Sequence, residues 1–422
     1  MTAEQKKIFY AALILITLAG VFLRFWGVIE QPPIHDEVMT AYAADSYIES
    51  GQFMYVMPHH PKLRNILVDL SMNMFGRGAA GLRGFSLLFG CLSVLLLGLL
   101  LYRISSNTTA SCLAAFFLAV DPMHITFSRQ AIQEVHTTFF FILGTLLAVL
   151  SVRDEKEEII WWLLPLSGIV FGLGLASKGH ALFPLLVCIP YIITKTLKLK
   201  DPGLIIFAIL SLTVLPFTVF LLTYIPWFDR GYDLSDWLFM QQALSKEIAT
   251  HQGSSGDVFK YTQAWQWFIN PLMAYGNFSY SGGKPHVTVA MGNPLVWLLV
   301  LPSSFYLLFN ALKQKKGFIV LFLFWISYLP LALALRPIQM LSSLGVIPFA
   351  FCLVGLTVSE IKMKTGAKYF YAYLTAVLLA AMLLYPLATG KALDYGYLRS
   401  ITERANPHTI NQNPQGILLQ GI

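Results

Sequence analysis

The chain has 422 residues, 56% of them hydrophobic and 12% charged, and a mean hydropathy of +0.63. Soluble domains carry about 25% charged residues, so this chain cannot cover a water-facing surface and takes the bilayer as its solvent. Its formal charge of +7 reflects Lys and Arg at anionic headgroups; no basic helix is interleaved with base-stacking aromatics, and no nucleic-acid partner is expected.

A spanning helix needs about 20 apolar residues. Such runs fall near 8–28, 82–102, 110–122, 131–151, 159–176, 180–194, 203–224, 293–312, 317–335, 338–358 and 369–389, which predicts an all-α integral membrane bundle of about 11 helices. The first run follows Lys6 and Lys7 and has no small-x-small cleavage site, so it reads as a retained helix. The 110–122 and 180–194 runs are short for a full crossing. Cys91, Cys112, Cys188 and Cys352 all fall in apolar runs without metal spacing and read as small buried hydrophobes.

The short charged connections 153–158, 195–202, 311–317 and 359–368 fall on one side with the N-terminus. The positive-inside rule makes that side cytoplasmic. Segments 29–81, 225–292 and 390–422 then face outward and are expected to carry the chemistry. The chain divides into a polytopic unit, 1–389, and an extracytoplasmic tail, 390–422. Gly76, Gly78 and Gly81 spell G-x-G-x-x-G, but no strand precedes them and a span follows, so the dinucleotide reading fails its context test.

Asp36 and Glu37 follow Pro32 and Pro33, which end the first helix and set the acids at the membrane surface. The bland reading is a solvated pair or a helix cap. His59 and His60 with nearby acids could bind a metal, but their spacing matches no known ligand pattern; a cationic lining with Lys62 and Arg64, suited to an anionic substrate, is favoured. Arg129, Glu134 and His136 flank the start of the fourth span, as snorkelling groups, an intramembrane pair or functional residues. Lys178 sits at another outer turn and Arg336 between two spans. Arg64, Arg129, Lys178 and Arg336 on one face, near the headgroup plane, suit a lipid phosphate. Trp265 and Trp267 read as an aromatic belt or a surface for a sugar or lipid tail. Asn277-Phe278-Ser279 is a glycosylation sequon, relevant only in a eukaryotic secretory setting.

In this order the segments resemble the protein O-mannosyltransferase and aminoarabinose transferase superfamily, whose fold is the GT-C type. Asp36-Glu37 is similar to the family's acid pair after the first span, His60-Pro61 to its His-Pro stretch, and Arg83 to its arginine at the second span. Ser128, Arg129 and Glu134 look like its Ser-Arg and acid at the fourth span. Gly174-Leu175-Ala176-Ser177-Lys178 looks like its lysine turn. Trp265-Gln266-Trp267 and Gly292-Asn293-Pro294-Leu295-Val296-Trp297 resemble the mannosyltransferase branch. Lys62, Arg64-Asn65 and Glu134 depart from the family's usual residues, and the stretch after Arg336 lacks its Tyr-His; protein and lipid acceptors both stay open.

The resemblance implies a polyprenyl- or dolichyl-phosphate sugar donor, a hydroxyl acceptor on protein or lipid, and inversion at the anomeric carbon. A phosphate leaves as an anion, so one carboxylate base suffices. Asp36 is the expected base. Glu37 would orient the acceptor or the neighbouring cations, and Arg129, Lys178 and Arg336 would hold the departing phosphate. His60, Lys62, Arg64, Arg83, Glu134, Trp265, Trp267 and Asn293 complete the expected substrate-binding set. No cofactor is implied, and a divalent metal is not favoured. The membrane would be a bacterial or archaeal plasma membrane, or the endoplasmic reticulum. The rival readings are a transporter or flippase, which would place its polar residues at the bilayer midplane, and a non-catalytic assembly subunit.

Overall fold

The computed structural model describes residues 2–31, 33–51, 60–153, 157–250, 261–271, 275–281, 284–314, 318–334 and 338–391. Of the expected tail, 390–422, all but residues 390 and 391 lies outside them, as do Arg336 and His59. The first half runs α1 (Ala3–Phe25), α2 (His35–Ser50), α3 (Leu63–Phe75), α4 (Ala79–Ser105), α5 (Thr108–Val120), α6 (Pro122–Ser128) and α7 (Gln133–Leu150). A small ladder of β1 (Val152–Arg153) on β2 (Glu158–Ile159) then leads to α8 (Leu163–Ser177), α9 (Leu182–Leu199), α10 (Pro202–Leu212), α11 (Val214–Leu222), α12 (Ile225–Phe228) and α13 (Leu234–Thr250). The last part holds β3 (Tyr261–Thr262), β4 (Tyr275–Ser281), β5 (Lys284–Ala290), α14 (Pro294–Trp297), α15 (Val300–Gln314), α16 (Phe318–Ala332), β6 (Ile338–Gln339), a 3₁₀ turn at Met340–Gly345, α17 (Ile347–Thr365) and α18 (Ala367–Ala388).

Each apolar run named from the sequence contains helix. By length and apolarity, 7 described helices can cross a membrane, or 8 if α5 and α6 form one span bent by 59°. The shorter apolar helices α8 and α16 fall below that length. The bend has a local cause. Asp121 leaves the helical path, its Oδ1 accepts the His124 N–H at 3.0 Å, and Pro122 opens α6 without needing a backbone donor.

The core is one continuous cluster in which α4, α5, α7 and α17 supply fully buried residues such as Val94, Leu118, Phe141 and Phe351. The periphery is apolar as well: Ile8, Leu15, Phe322 and Leu383 are all more than half exposed, as expected where lipid is the outer solvent.

Two regions differ from the expected outer loops. Segment 29–81 holds two helices, α2 and α3, packed on each other and on α4. The glycine fingerprint is the turn joining α3 to α4: Gly76 caps α3 at φ +83°, and a Cβ on Gly81 would stand 1.8 Å from the Gly76 carbonyl oxygen. Segment 225–292 folds α13 onto α2, α11 and α12 through Tyr47, Tyr224, Trp227, Trp237 and Met240. It also adds the antiparallel hairpin β4–β5, in register from Tyr275 opposite Ala290 to Ser281 opposite Lys284. A second ladder pairs β3 with β6, Tyr261 opposite Gln339, and so ties this segment to the stretch before α17.

Candidate active site

The consecutive acids open α2 and then part company. Glu37 is fully buried. Its Oε2 accepts the Ile34 N–H at 3.0 Å, closing the helix start from within. Arg83, on the first turns of α4, donates to it from Nε and Nη2, both at 2.7 Å. The Ala131 N–H, from the turn before α7, donates to Oε1 at 3.0 Å. Arg83 Nη1 also donates to the Val28 and Gln31 carbonyls. Four donors on two oxygens make Glu37 the knot that joins α2, α4 and the α6–α7 turn. Asp36, one residue earlier, is half-buried.

Asp36 lies within the electrostatic field of Arg64, at the start of α3. Arg64 is buried, and its Nη1 donates to Gln133 Oε1 at 2.9 Å while Nε and Nη2 donate to Asn65 Oδ1. Both partners are neutral amides, and Arg64 takes part in none of the ion pairs within 4.0 Å among the described residues. Burial draws its guanidinium down to about 10, against the opposing pull of Glu134 and then Asp36. Lys62, at the α3 N-cap, is buried as well, and burial followed by the nearby Arg64 draws its amine well below the usual lysine range.

The next shell of charge comes from three other elements. Glu134, in the first turn of α7, pairs with Lys178 Nζ at 2.6 Å, from the turn between α8 and α9. Lys178 Nζ also lies 3.4 Å from Ser342 Oγ, in the 3₁₀ turn before α17. Gln133 Nε2 donates to Glu134 Oε1 at 3.3 Å and stands 3.3 Å from His60 Nδ1. His60, Arg64, Glu134 and Lys178 are therefore brought together, beside Lys62 and Asp36, from segments more than a hundred residues apart. The guanidinium of Arg64 and the amine of Lys178 stand here with two carboxylates, and Lys62 adds a third basic side chain, a set able to contact an anion. Among the described residues no three His, Cys, Asp or Glu side chains group as a metal site.

Other expected site residues stand elsewhere. Arg129 is buried, with Nη1 donating to the Arg24 and Trp26 carbonyls at 2.8 Å and Nε to Gln31 Oε1. Those are the bonds of a cap on the C-terminal end of α1, where the helix leaves carbonyls unmet. Asn293 caps α14, accepting the Leu295 N–H at 3.2 Å, and its Nδ2 donates to the Val377 carbonyl at 3.0 Å. Trp267 is fully buried in the main core, whereas Trp265 is half exposed. Arg336 lies outside the described residues.

Sequence reasoning missed Arg24, Asp121 and Gln133. Arg24 is fully buried and caps the end of α5, donating to the Leu118 and Ala119 carbonyls. Asp121 Oδ2 receives the Trp297 indole N–H at 2.8 Å and the Asn293 N–H at 3.2 Å. The Gly-Asn-Pro-x-x-Trp motif thus docks on the bend between α5 and α6. An ionisable residue at the edge of an apolar run was the available signal for Arg24 and Asp121; nothing in the sequence marked Gln133.

A family model described as dolichyl-phosphate-mannose-protein mannosyltransferase matches residues 77–230. An undecaprenyl phosphate-alpha-4-amino-4-deoxy-L-arabinose arabinosyl transferase of Pseudomonas aeruginosa is 25% identical over 297 residues, 65% of this chain and 50% of that protein. A polyprenol-phosphate-mannose–protein mannosyltransferase of Mycobacterium tuberculosis is 23% identical over 207 residues, 41% of this chain and 39% of that one. The chain spans half the length, or less, of these curated relatives. The S. cerevisiae protein O-mannosyltransferase Pmt1-Pmt2 complex bound to the sugar donor superposes with a TM-score of 0.77 at 11% identity, covering 95% of this chain and 92% of that one. ArnT from Cupriavidus metallidurans bound to undecaprenyl phosphate gives 0.53 at 15% identity, covering 100% and 76%. Both likenesses are of fold, and they make the chain a multi-pass integral membrane protein.

Proposed function

We propose, from its similarity to the protein O-mannosyltransferase and aminoarabinose transferase superfamily and from its GT-C type fold, that this chain is an inverting glycosyltransferase. It moves a sugar from a polyprenyl-phosphate carrier to a hydroxyl on a protein or lipid. The observation that carries the reading is Arg64, a buried guanidinium whose side-chain partners among the described residues are amides, with Lys62 close by and the half-buried Asp36 within its electrostatic reach. A buried cation without a paired anion is costly, and the phosphodiester of a polyprenyl-phosphate sugar, or the monoester it leaves, would supply the missing charge.

The steps follow from the residues. The donor phosphate lies against Arg64 and Lys62, with Lys178 on the Glu134 side. Asp36 accepts the proton of the acceptor hydroxyl as its oxygen attacks the anomeric carbon. The carbon–oxygen bond to phosphate breaks on the opposite face, so configuration inverts, and the polyprenyl phosphate leaves as an anion held by the cations. Glu37 stays out of the proton transfer; through Arg83 and the Ala131 N–H it fixes the start of α2 and hence Asp36. The N-terminus and the β1–β2 turn face the cytoplasm in this reading, and the site faces the other side. A membrane-impermeant thiol reagent should reach a cysteine at Ser235 and not one at Lys200; the reverse pattern would overturn the orientation.

The decisive assay incubates purified protein with polyprenyl-phosphate mannose, polyprenyl-phosphate 4-amino-4-deoxyarabinose and soluble nucleotide sugars. The expected result is sugar released from a polyprenyl phosphate and joined to a hydroxyl acceptor. Turnover of nucleotide sugars alone would overturn the donor reading.

A further inference from the structure

One side chain decides how charge is shared in the cluster. Gln133 is the first residue of α7 and is buried. Its Oε1 accepts from Arg64 Nη1 at 2.9 Å, and its Nε2 donates to Glu134 Oε1 at 3.3 Å. The amide thus stands between a guanidinium and a carboxylate, satisfying each with the polarity it needs. Glu134 is left to pair with Lys178 at 2.6 Å. Arg64 is left with two amide oxygens and keeps its net charge.

The alternative arrangement is easy to state. Arginine and carboxylate form short bidentate pairs whenever they can reach one another, and Glu134 already exerts the largest charge–charge pull on Arg64. A direct Arg64–Glu134 pair would neutralise the arginine and strip Lys178 of its partner. Arg83 and Glu37 show that pairing nearby, with both distances at 2.7 Å. A neutral spacer at position 133 prevents it.

We propose that Gln133 is a positioning residue that keeps Arg64 un-neutralised for the donor phosphate, by holding it on an amide and holding Glu134 on Lys178. The inference rests on the glycosyltransferase reading above and deepens it: it assigns this residue to donor affinity and not to acceptor binding or proton transfer. Gln133→Glu places a carboxylate against Arg64. Gln133→Met keeps the length and removes the hydrogen bonds to Arg64 and Glu134, with the contact to His60, so that Glu134 is released towards Arg64.

The test measures donor KM, acceptor KM, kcat and thermal midpoint for the full chain in detergent, together with direct binding of a short-chain polyprenyl monophosphate. Both variants should raise donor KM and the monophosphate Kd by about tenfold or more, the usual consequence of losing a hydrogen bond to a charged group. Acceptor KM should stay within about twofold. In an Arg64→Met background, Gln133→Met should add no further loss of monophosphate affinity, since the charge it protects is gone. Folded variants with lowered thermal midpoints but unchanged monophosphate Kd would make Gln133 merely structural and overturn the inference, as would additive losses in the double variant. Wild-type protein that ignores polyprenyl monophosphate overturns the glycosyltransferase reading and this inference with it. Wild-type binding alongside unchanged affinity in both Gln133 variants overturns this inference alone.

Discussion

Arg83 and Arg64 are both buried arginines near the start of a helix, and their surroundings differ in kind. Arg83 meets Glu37 along two parallel hydrogen bonds and two backbone carbonyls besides. Arg64 meets the side-chain oxygens of Asn65 and Gln133. The first region, with Arg24 and Arg129 capping helix ends close by, spends its charge on holding α1, α2, α4 and α5 together. The second leaves charge unspent, and unspent buried charge costs stability that a ligand can return. Burial alone picks out both regions equally; counting partners separates the closed joint at Arg83 from the proposed site at Arg64.

The sharpest break in the comparison is between the neighbouring acids. Asp36→Asn keeps shape and removes proton affinity, so transfer should fall by about two to four orders of magnitude, the usual yield of a general base. The protein should reach the membrane in normal amount with an unchanged thermal midpoint. Near-normal turnover would remove Asp36 from the chemistry. Glu37→Gln should do the reverse in origin if not in outcome. It leaves Arg83 buried without the Glu37 carboxylate, at a stability cost of about 3–5 kcal/mol, read as loss of folded protein or a large fall in the unfolding midpoint. Replacing Arg83 and Glu37 together by methionine should restore part of that stability, since the isolated charge disappears. If Glu37→Gln folds normally and loses only turnover, the sealed joint has been misassigned and the two acids share the catalytic work.

Arg64→Met sharpens the same contrast at smaller scale. Donor KM should rise by about ten- to a hundredfold, the range for losing a charge-assisted contact. The thermal midpoint should hold or rise, because a cation without an anion has been removed from a buried position. Arg83→Met alone should lower the midpoint. Equal destabilisation by the two substitutions would erase the distinction drawn between the regions.

How far the sequence carried this picture depended on the kind of signal. The apolar runs translate into helices because hydropathy reports burial in lipid directly, as at 82–102 within α4 and 369–389, all but its last residue within α18. The stretches 29–81 and 225–292 read as loops, since His35–Ser50 and Leu234–Thr250 mix polar and apolar residues too evenly to mark a span; their helices form by packing on each other through Tyr47 and Trp237. Expected residues Asp36, His60, Lys62, Arg64, Glu134 and Lys178 fall in one cluster, whereas Arg129, Asn293 and Trp267 stand at structural joints. A sequence reports that an arginine lies at a membrane edge; it does not report whether carbonyls, carboxylates or amides receive it. That is a property of chain packing, which also hid Gln133, an uncharged residue whose importance lies in what it separates.

The smallest expected effect falls on Asn293, a residue whose motif resembles a family signature and whose geometry is that of a scaffold. Its Oδ1 accepts the Leu295 N–H, its Nδ2 reaches the Val377 carbonyl, and its own N–H is held by Asp121. Two of these bonds go with the side chain in Asn293→Ala, and the backbone bond to Asp121 survives. Losing a helix N-cap costs about 1 kcal/mol, and the Val377 carbonyl, inside α18, loses a second donor at a similar cost at most. The unfolding midpoint should therefore drop by a few degrees. Donor KM, acceptor KM and kcat of the folded fraction should stay within about twofold, because the bend at Asp121 still receives Trp297. Asn293→Asp is the companion: it retains the cap and places a second carboxylate beside Asp121, so it should destabilise more than alanine while leaving donor affinity alone. A change in donor affinity with either substitution, at unchanged stability, would move Asn293 from the scaffold into the substrate site and make the two regions one.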